Sequence, residues 1–295
     1  MLEIPKNNDK KELSAEQMFA SLHGILKDTE LLRQSGTAQE HLSFEIVSSG
    51  GQIRFYVYVP KTLQSFVEGQ IYAQYPSVQI HVVDKDYTET VHSHNVVYTS
   101  ELSLTENEVL PIKTFDTFEV DPLAGITGTL AKLNPDSNEE LWIQILTRPV
   151  ADSWHKDTDE WIKQLKAGKK GFTLFNIDFT WLAQLISALW TPPTGGTASE
   201  VKVELSERAK SQVSAAEQKA TKLGYEVKIR LAYLGNSEIN AKLNMQALVG
   251  TFKQYNSTNL NGFKSIGGSF NREDLEAYKL RQFTDEGFIL NISEL

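Results

Sequence analysis

The stretch from Leu42 to Val83 constrains the chain most. Leu42, Phe44 and Ile46 alternate with Ser43 and Glu45, and after Gly50-Gly51, Ile53, Phe55, Val57 and Val59 alternate with Arg54, Tyr56 and Tyr58. Two runs of period two separated by glycines predict a β-hairpin with one buried face. Leu63, Phe66, Val67 and Ile71 follow at i, i+3, i+4 and i+8, the stripe of a helix laid on that face. Pro76 stops this helix, and Val78, Ile80 and Val82 resume alternation. An apolar sheet face must be covered, so the expected fold class is α+β, antiparallel sheets covered by helices.

The rest of the chain extends this pattern. Ser14 with Gln17 reads as a capping box for a helix carrying Met18, Leu22 and Ile25. A strand is expected from Asn95 to Ser103. Asp121 followed by Pro122 marks the start of a helix with Leu123, Ile126, Leu130 and Leu133 on one stripe. Leu141, Ile143 and Ile145 alternate as a strand ending at Pro149. From Ile53 to Leu146 the predicted order is βαββαβ, that of a ferredoxin-like unit. Residues 153–167 read as a helix and Ser206–Leu223 as another ended by Gly224. Tyr225, Val227, Ile229, Leu231 and Tyr233 alternate as a strand, and Asn236 or Ser237 caps a further helix. Strand, loop, helix and strand here echo Ile53–Val83, a pseudo-repeat in the C-terminal third. The division expected is an α+β domain over 1–150, a helix, apolar segment and Pro/Gly linker over 151–200, and a second α+β unit over 201–295.

Composition narrows the chemistry. A formal charge of −9 over 295 residues argues against a broad nucleic-acid footprint, because phosphate contacts need clustered Lys and Arg. The absence of cysteine removes disulfides, thiolate nucleophiles and cysteine metal sites. The opening MLEIPKNNDKKEL has no apolar run of the kind a signal peptide needs. Gly168-Lys169-Lys170-Gly171 lacks the spacing and hydroxyl of a phosphate loop, and Gly267-Gly268-Ser269 lacks its lysine. His92 and His94 would share one face of a strand, with Asp84, Asp86 or Glu101 as a third metal ligand, but a solvated loop accounts for them better. No GxSxG elbow is present, and Glu139-Glu140 sit in a turn. No catalytic, cofactor-binding or metal residues are assigned, no cofactor is called for, and the chain is read as no enzyme.

Aromatic residues offer two surfaces. Trp142, Trp154 and Trp161 lie on amphipathic elements and read as core. Tyr56, Tyr58 and Arg54 on the far face of the hairpin could stack bases. The segment from Phe172 to Trp190 is apolar on nearly every face, with Asp178 as its one charge. Phe172, Phe175, Phe179, Leu182, Ile186 and Leu189 form one helical stripe, Leu174, Ile177, Trp181, Leu185 and Ala188 are apolar opposite it, and Trp190 ends the candidate surface. Asp178, Asn176 and Gln184 argue against a membrane span. Lys163, Lys166, Lys169 and Lys170 precede the segment, which suits an interfacial helix or a docking surface for another subunit, the alternative being a helix buried within this domain.

The runs LEIPKNN, SFEIVSSGGQIRFYV, FVEGQIYAQYPSVQI, DPLAGITGTLAKL, LWIQILTRPV and ALVGTFKQYNSTNLNGF together carry a resemblance. The chain resembles the region that precedes the motor in conjugation-like ATPases of the FtsK/HerA class, similar to type IV secretion coupling proteins. The resemblance implies a non-catalytic assembly and docking module at the cytoplasmic membrane face, partnered by its own copies or a secretion-system subunit. DNA contact through this chain would be weak at most. It also implies that a motor domain would follow Leu295. The alternative is a stand-alone nucleic-acid-binding α+β protein.

Overall fold

The computed structural model describes residues 1–5, 12–166, 205–284 and 286–295. Its strands are β1 (Leu2–Glu3), β2 (Leu42–Ser49), β3 (Gln52–Tyr58), β4 (Gln79–Ile80), β5 (Val96–Leu104), β6 (Glu140–Pro149), β7 (Gly224–Gly235), β8 (Phe263–Ser269) and β9 (Phe288–Asn291). The α-helices are α1 (Glu12–Leu22), α2 (Thr29–Ser35), α3 (Gln64–Gln74), α4 (Pro122–Leu130), α5 (His155–Lys166), α6 (Glu207–Lys219), α7 (Glu238–Phe252) and α8 (Arg272–Lys279). The fold is α+β, as the alternation and helical stripes predicted.

Among the described residues all the strands join one nine-stranded sheet in the order β4-β1-β3-β2-β6-β7-β5-β8, with β9 pairing β7 beyond the end of β5. Every pairing is antiparallel. This order holds a duplication. Elements β1-α1-β2-β3-α3-β4 form one βαββαβ unit, and β5-α4-β6-β7-α7-β8 form a second. Numbered within its own unit, each has strand order 4-1-3-2, and the two meet where β2 of the first pairs with β6 of the second. The ferredoxin-like elements are therefore present twice, and the expected echo of Ile53–Val83 in the C-terminal third is the correspondence of β3-α3-β4 with β7-α7-β8.

Two expectations change. The run Ile53–Leu146 has the predicted element order but straddles the two units, since β2 stands between β3 and β6, and β7 between β6 and β5. The division at 150 and 201 likewise does not separate two sheets, because β7 of the C-terminal section lies between β6 and β5 of the N-terminal one. Order along the chain is a local property, whereas strand neighbours are decided by long-range pairing.

One face of the sheet carries the helices. Leu42 of β2, Leu141 and Ile143 of β6, and Tyr225, Val227, Ile229, Leu231 and Tyr233 of β7 alternate onto it. They meet Met18, Phe19 and Leu22 of α1, Val67 and Ile71 of α3, Ile126 and Leu130 of α4, and Ala241, Met245, Leu248 and Phe252 of α7. Phe66, expected in the buried stripe, lies at its exposed rim. Full burial of each large aliphatic side chain contributes about 1.5–3 kcal/mol, so this layer supplies most of the drive to fold.

Local signals place the ends. Asp121 accepts from Leu123 N at 2.8 Å with Pro122 at the first position of α4, Ser206 accepts from Ala209 N, and Ser237 accepts from Asn240 N. Ser14 instead sits inside α1, which already runs from Glu12, and Gly224 opens β7 rather than closing a helix. Gly50 and Gly51 have φ of 57° and 72°, the left-handed pair that a two-residue hairpin turn requires. In the second unit the equivalent tip, between β6 and β7, is replaced by residues 150–223, which include α5 and α6 packed together.

Candidate functional site

In a bare βαββαβ unit the face opposite the helices is open. Here it is roofed by residues 87–93, a 3-10 segment after β4, and by α8 with the residues that follow it. Val91, Leu275 and Tyr278 from the roof pack on Val47, Val97, Trp142, Ala232 and Leu234 of the sheet. Beside this apolar patch runs a polar row. Glu45 of β2 pairs in register with Gln144 of β6, Gln144 with Arg230 of β7, and Arg230 with Glu101 of β5. Glu45, Gln144 and Arg230 are 2%, 0% and 4% exposed, so each must find partners inside the protein.

They do. Gln144 Nε2 donates to Glu45 Oε1 at 3.2 Å and to the Tyr278 carbonyl at 2.9 Å. Arg230 Nε donates to Glu101 Oε1 at 2.9 Å, and its Nη1 reaches the Ala277 carbonyl at 3.2 Å. Arg281, from the roof, closes the row: Nε and Nη2 donate to the two oxygens of Glu45 at 2.9 and 3.0 Å, and Nη2 also donates to Asp86 Oδ1 at 3.1 Å. Its guanidinium lies 5.2 Å from the Tyr58 ring centroid and 5.4 Å from that of Tyr87, within cation–π range.

The backbone explains how an arginine arrives there. Gln282 N bonds the Ala277 carbonyl and Arg281 N the Tyr278 carbonyl, the paired bonds of a Schellman helix end, with Arg281 at φ 49° where glycine is usual. The left-handed turn swings the side chain back to the sheet. Burial works against the Arg281 charge, but the hydrogen bonds to Glu45 and Asp86 outweigh it and raise the pKa further above its already high value. Asp86 is likewise pushed up by burial, yet its bonds to Arg281 and Thr88 N win and hold it below the ordinary carboxylate range. Burial pushes the Tyr87 and Tyr278 hydroxyls well above their usual pKa. The ionised groups of this row are therefore locked in pairs.

Besides a cavity of about 380 Å³ at its Arg230–Glu101 end, two more adjoin the row. One, of about 420 Å³, opens at the outer edge of β3 beside Tyr58, Asp86 and Arg281. The other, of about 290 Å³, lies on the helix side over the β2–β6 seam, walled by Phe44, Ile46, Ile143, Ile145, Phe252 and Tyr255. There the α1–α3 pair stands over one unit and the α4–α7 pair over the other.

The residues singled out from the sequence are dispersed by the fold. His92 and His94 do not lie on a strand: His92 is exposed, while His94 is buried with Nδ1 facing the Thr90 carbonyl at 3.0 Å and Nε2 3.8 Å from Glu140 Oε1. Among the described residues no group of His, Asp and Glu is arranged to hold a metal ion. Trp142 and Trp154 are buried, and Trp142 Nε1 donates to Glu140 Oε2 at 2.8 Å. Tyr56 and Tyr58 do not form one shared stacking platform, because Tyr87 packs against Tyr56 at 5.1 Å and Arg281 lies over one face of Tyr58, whose ring otherwise stays exposed. The candidate surface Phe172, Phe175, Phe179, Trp181, Leu182, Leu185, Ile186, Leu189 and Trp190 lies outside the described residues. Sequence reasoning missed Glu45, Gln144, Arg230 and Arg281. Polar residues at alternate strand positions read as a solvent face, and only their recurrence at one level in four strands could have signalled a row.

A family model described as a domain of unknown function, DUF8128, matches residues 2–293. The chain belongs to the DUF8128 family. No curated protein matches it. Because the match takes in both βαββαβ units and the insertion between β6 and β7, DUF8128 is defined over the fused pair rather than over one unit.

Proposed function

We propose that this DUF8128 chain is a non-catalytic assembly and docking module, of the kind that precedes the motor in FtsK/HerA-class coupling ATPases of type IV secretion and conjugative DNA transfer, working at the cytoplasmic face of the membrane. The observation that carries this reading is the polar row. Glu45, Asp86 and Glu101 each face an arginine at ion-pair distance, and their bonds tie roof to sheet and unit to unit. Charge spent in this way holds a scaffold together; a general acid or base would need a carboxylate or imidazole left free to titrate near neutral pH. The sequence adds the missing lysine-bearing phosphate loop. Among the described residues no helix is long and apolar enough to cross a membrane, so membrane contact would be peripheral or through a partner.

The test compares the intact chain with one in which Phe172–Trp190 is replaced by a short Gly-Ser linker. Light scattering after size exclusion and flotation with anionic liposomes are the readouts. The intact chain should self-associate or float, and the deletion should lose that behaviour while melting cooperatively. An intact chain that stays monomeric and unbound, or that hydrolyses ATP, overturns the proposal.

A further inference from the structure

The polar row runs out at the β8 edge in an open groove. Glu101 of β5 stands opposite Arg230 of β7 on one side and Ile266 of β8 on the other, and residues opposite one another on neighbouring strands share a face. Helix α8 lies on that face but packs inward, with Leu275 and Tyr278 against Trp142, Ala232 and Leu234. Ile266 is left 44% exposed. The cavity of about 380 Å³ fills the gap, with Thr99, Glu101, Arg230 and Ile266 along the strands and Asp274 and Ala277 along α8. Gly267 and Gly268, where β8 shifts register against β5, add no side chains to its rim.

Three groups in this groove lack a partner. Arg230 is only 4% exposed, and its Nε donates to Glu101 while Nη1 donates to the Ala277 carbonyl and, at 3.5 Å, to Gln144 Oε1. Among the described residues no acceptor reaches Nη2. The guanidinium fork is rigid, and one N–H of Nη2 runs parallel to Nε–H, so it points to the Glu101 side, into the cavity. Thr99, two residues before Glu101 on the same face of β5, is 8% exposed, and its hydroxyl also has no partner among the described residues. Asp274 stands one turn before Ala277 on the same side of α8 and forms no ion pair among them. A buried donor without an acceptor costs stability, which a ligand with acceptor oxygens recovers.

Charge narrows the ligand. Lys228 Nζ lies 3.9 Å from Glu101 Oε2 and donates to the carbonyl of Thr284, a further wall of the cavity. Arg230 and Lys228 thus balance Glu101 and Asp274, and the site is neutral with its free donors and its free carboxylate at separate places. A net anion would meet two carboxylates, and a net cation would meet two bases. We infer that the groove between α8 and β8 binds a free α-amino acid with an aliphatic side chain. Its carboxylate accepts from Arg230 Nη2 and the Thr99 hydroxyl, its ammonium faces Asp274, and its side chain lies on Ile266 and Ala277. The cavity falls within the ~300–1,000 Å³ range of small-molecule sites. The inference stands whatever machine the chain serves.

Calorimetric titration of the full chain at neutral pH with L-leucine, 4-methylpentanoate and 3-methylbutylamine tests it. L-leucine should bind saturably and at least about tenfold tighter than either analogue, a gap of about 1.4 kcal/mol, because the first analogue lacks the ammonium and the second the carboxylate. Asp274→Asn, a change at an exposed side chain, should erase the preference for L-leucine over 4-methylpentanoate. Thr99→Val should weaken L-leucine severalfold and leave 3-methylbutylamine unchanged. Absence of saturable L-leucine binding, equal binding of the three compounds, or an undiminished preference in Asp274→Asn would overturn the site.

Discussion

In the first unit the outer strands β1 and β4 have two residues each, whereas in the second β5 has nine and β8 seven. The hairpin tips differ in the opposite sense. The first unit turns at Gly50-Gly51, and the second carries residues 150–223 between the same two strands. One architecture thus tolerates a trimmed edge in one copy and a large insertion in the other. The reason is that both changes lie at the periphery, while the inner strands β3, β2, β6 and β7 keep long in-register ladders. Loop length costs little once strand ends are pinned, about 0.6 kcal/mol per doubling. What the two copies must share is the seam, and there the roof of one unit is bonded to the sheet of the other.

Arg281 is the strongest test of that seam, because it follows the last helix of the second unit yet pairs with Glu45 of the first. Arg281→Met should destabilise the fold by about 3–5 kcal/mol in urea unfolding, since Glu45 would be left buried without a counter-charge. Arg281→Gly should remain strongly destabilised although it relieves the left-handed backbone. Adding Glu45→Leu to Arg281→Met should recover much of the loss; failure to recover would mean that the pair is not what joins the units.

Leu231→Ala and Val57→Ala sharpen the comparison of the corresponding strands β7 and β3 of the two units. Leu231 is fully buried on β7 and its truncation should cost about 2–5 kcal/mol. Val57, half-buried beside the open edge, should cost distinctly less in the same denaturation series. Equal losses would show that the first unit's edge is as well packed as the second unit's interior.

At the tips, Gly50→Ala should cost roughly 1–2 kcal/mol, the strain of a side chain in the left-handed region, measured by the shift in unfolding midpoint. The smallest effect concerns pH. Asp86 has a depressed pKa in the folded state, so its contribution is fully present above the unfolded value of about 3.9. It is lost as pH falls below that value and through the lower folded one. Stability should decline on acidification through this window, and Asp86→Asn should flatten that part of the profile. An unchanged profile would mean that Asp86 adds nothing to the grip of the roof on the first unit.

Periodicity in the sequence determined the elements and one face of the sheet. Alternation in Leu42–Val59 and Tyr225–Tyr233, the stripe of Val67 and Ile71, and the caps at Asp121, Ser206 and Ser237 are local effects, written where they act. It also held the echo between β3-α3-β4 and β7-α7-β8, because both units obey the same local patterns. Only the tertiary structure decided that two complete units share one sheet, since β2–β6 pairing joins segments almost a hundred residues apart and leaves no local trace. The same holds for the second face. Ser43, Glu45, Gln144 and Arg230 alternate as solvent-facing residues would, and what buries them is a roof whose key contact, Arg281 to Glu45, spans 236 positions. A polar side chain in a strand looks the same in sequence whether water or an arginine satisfies it.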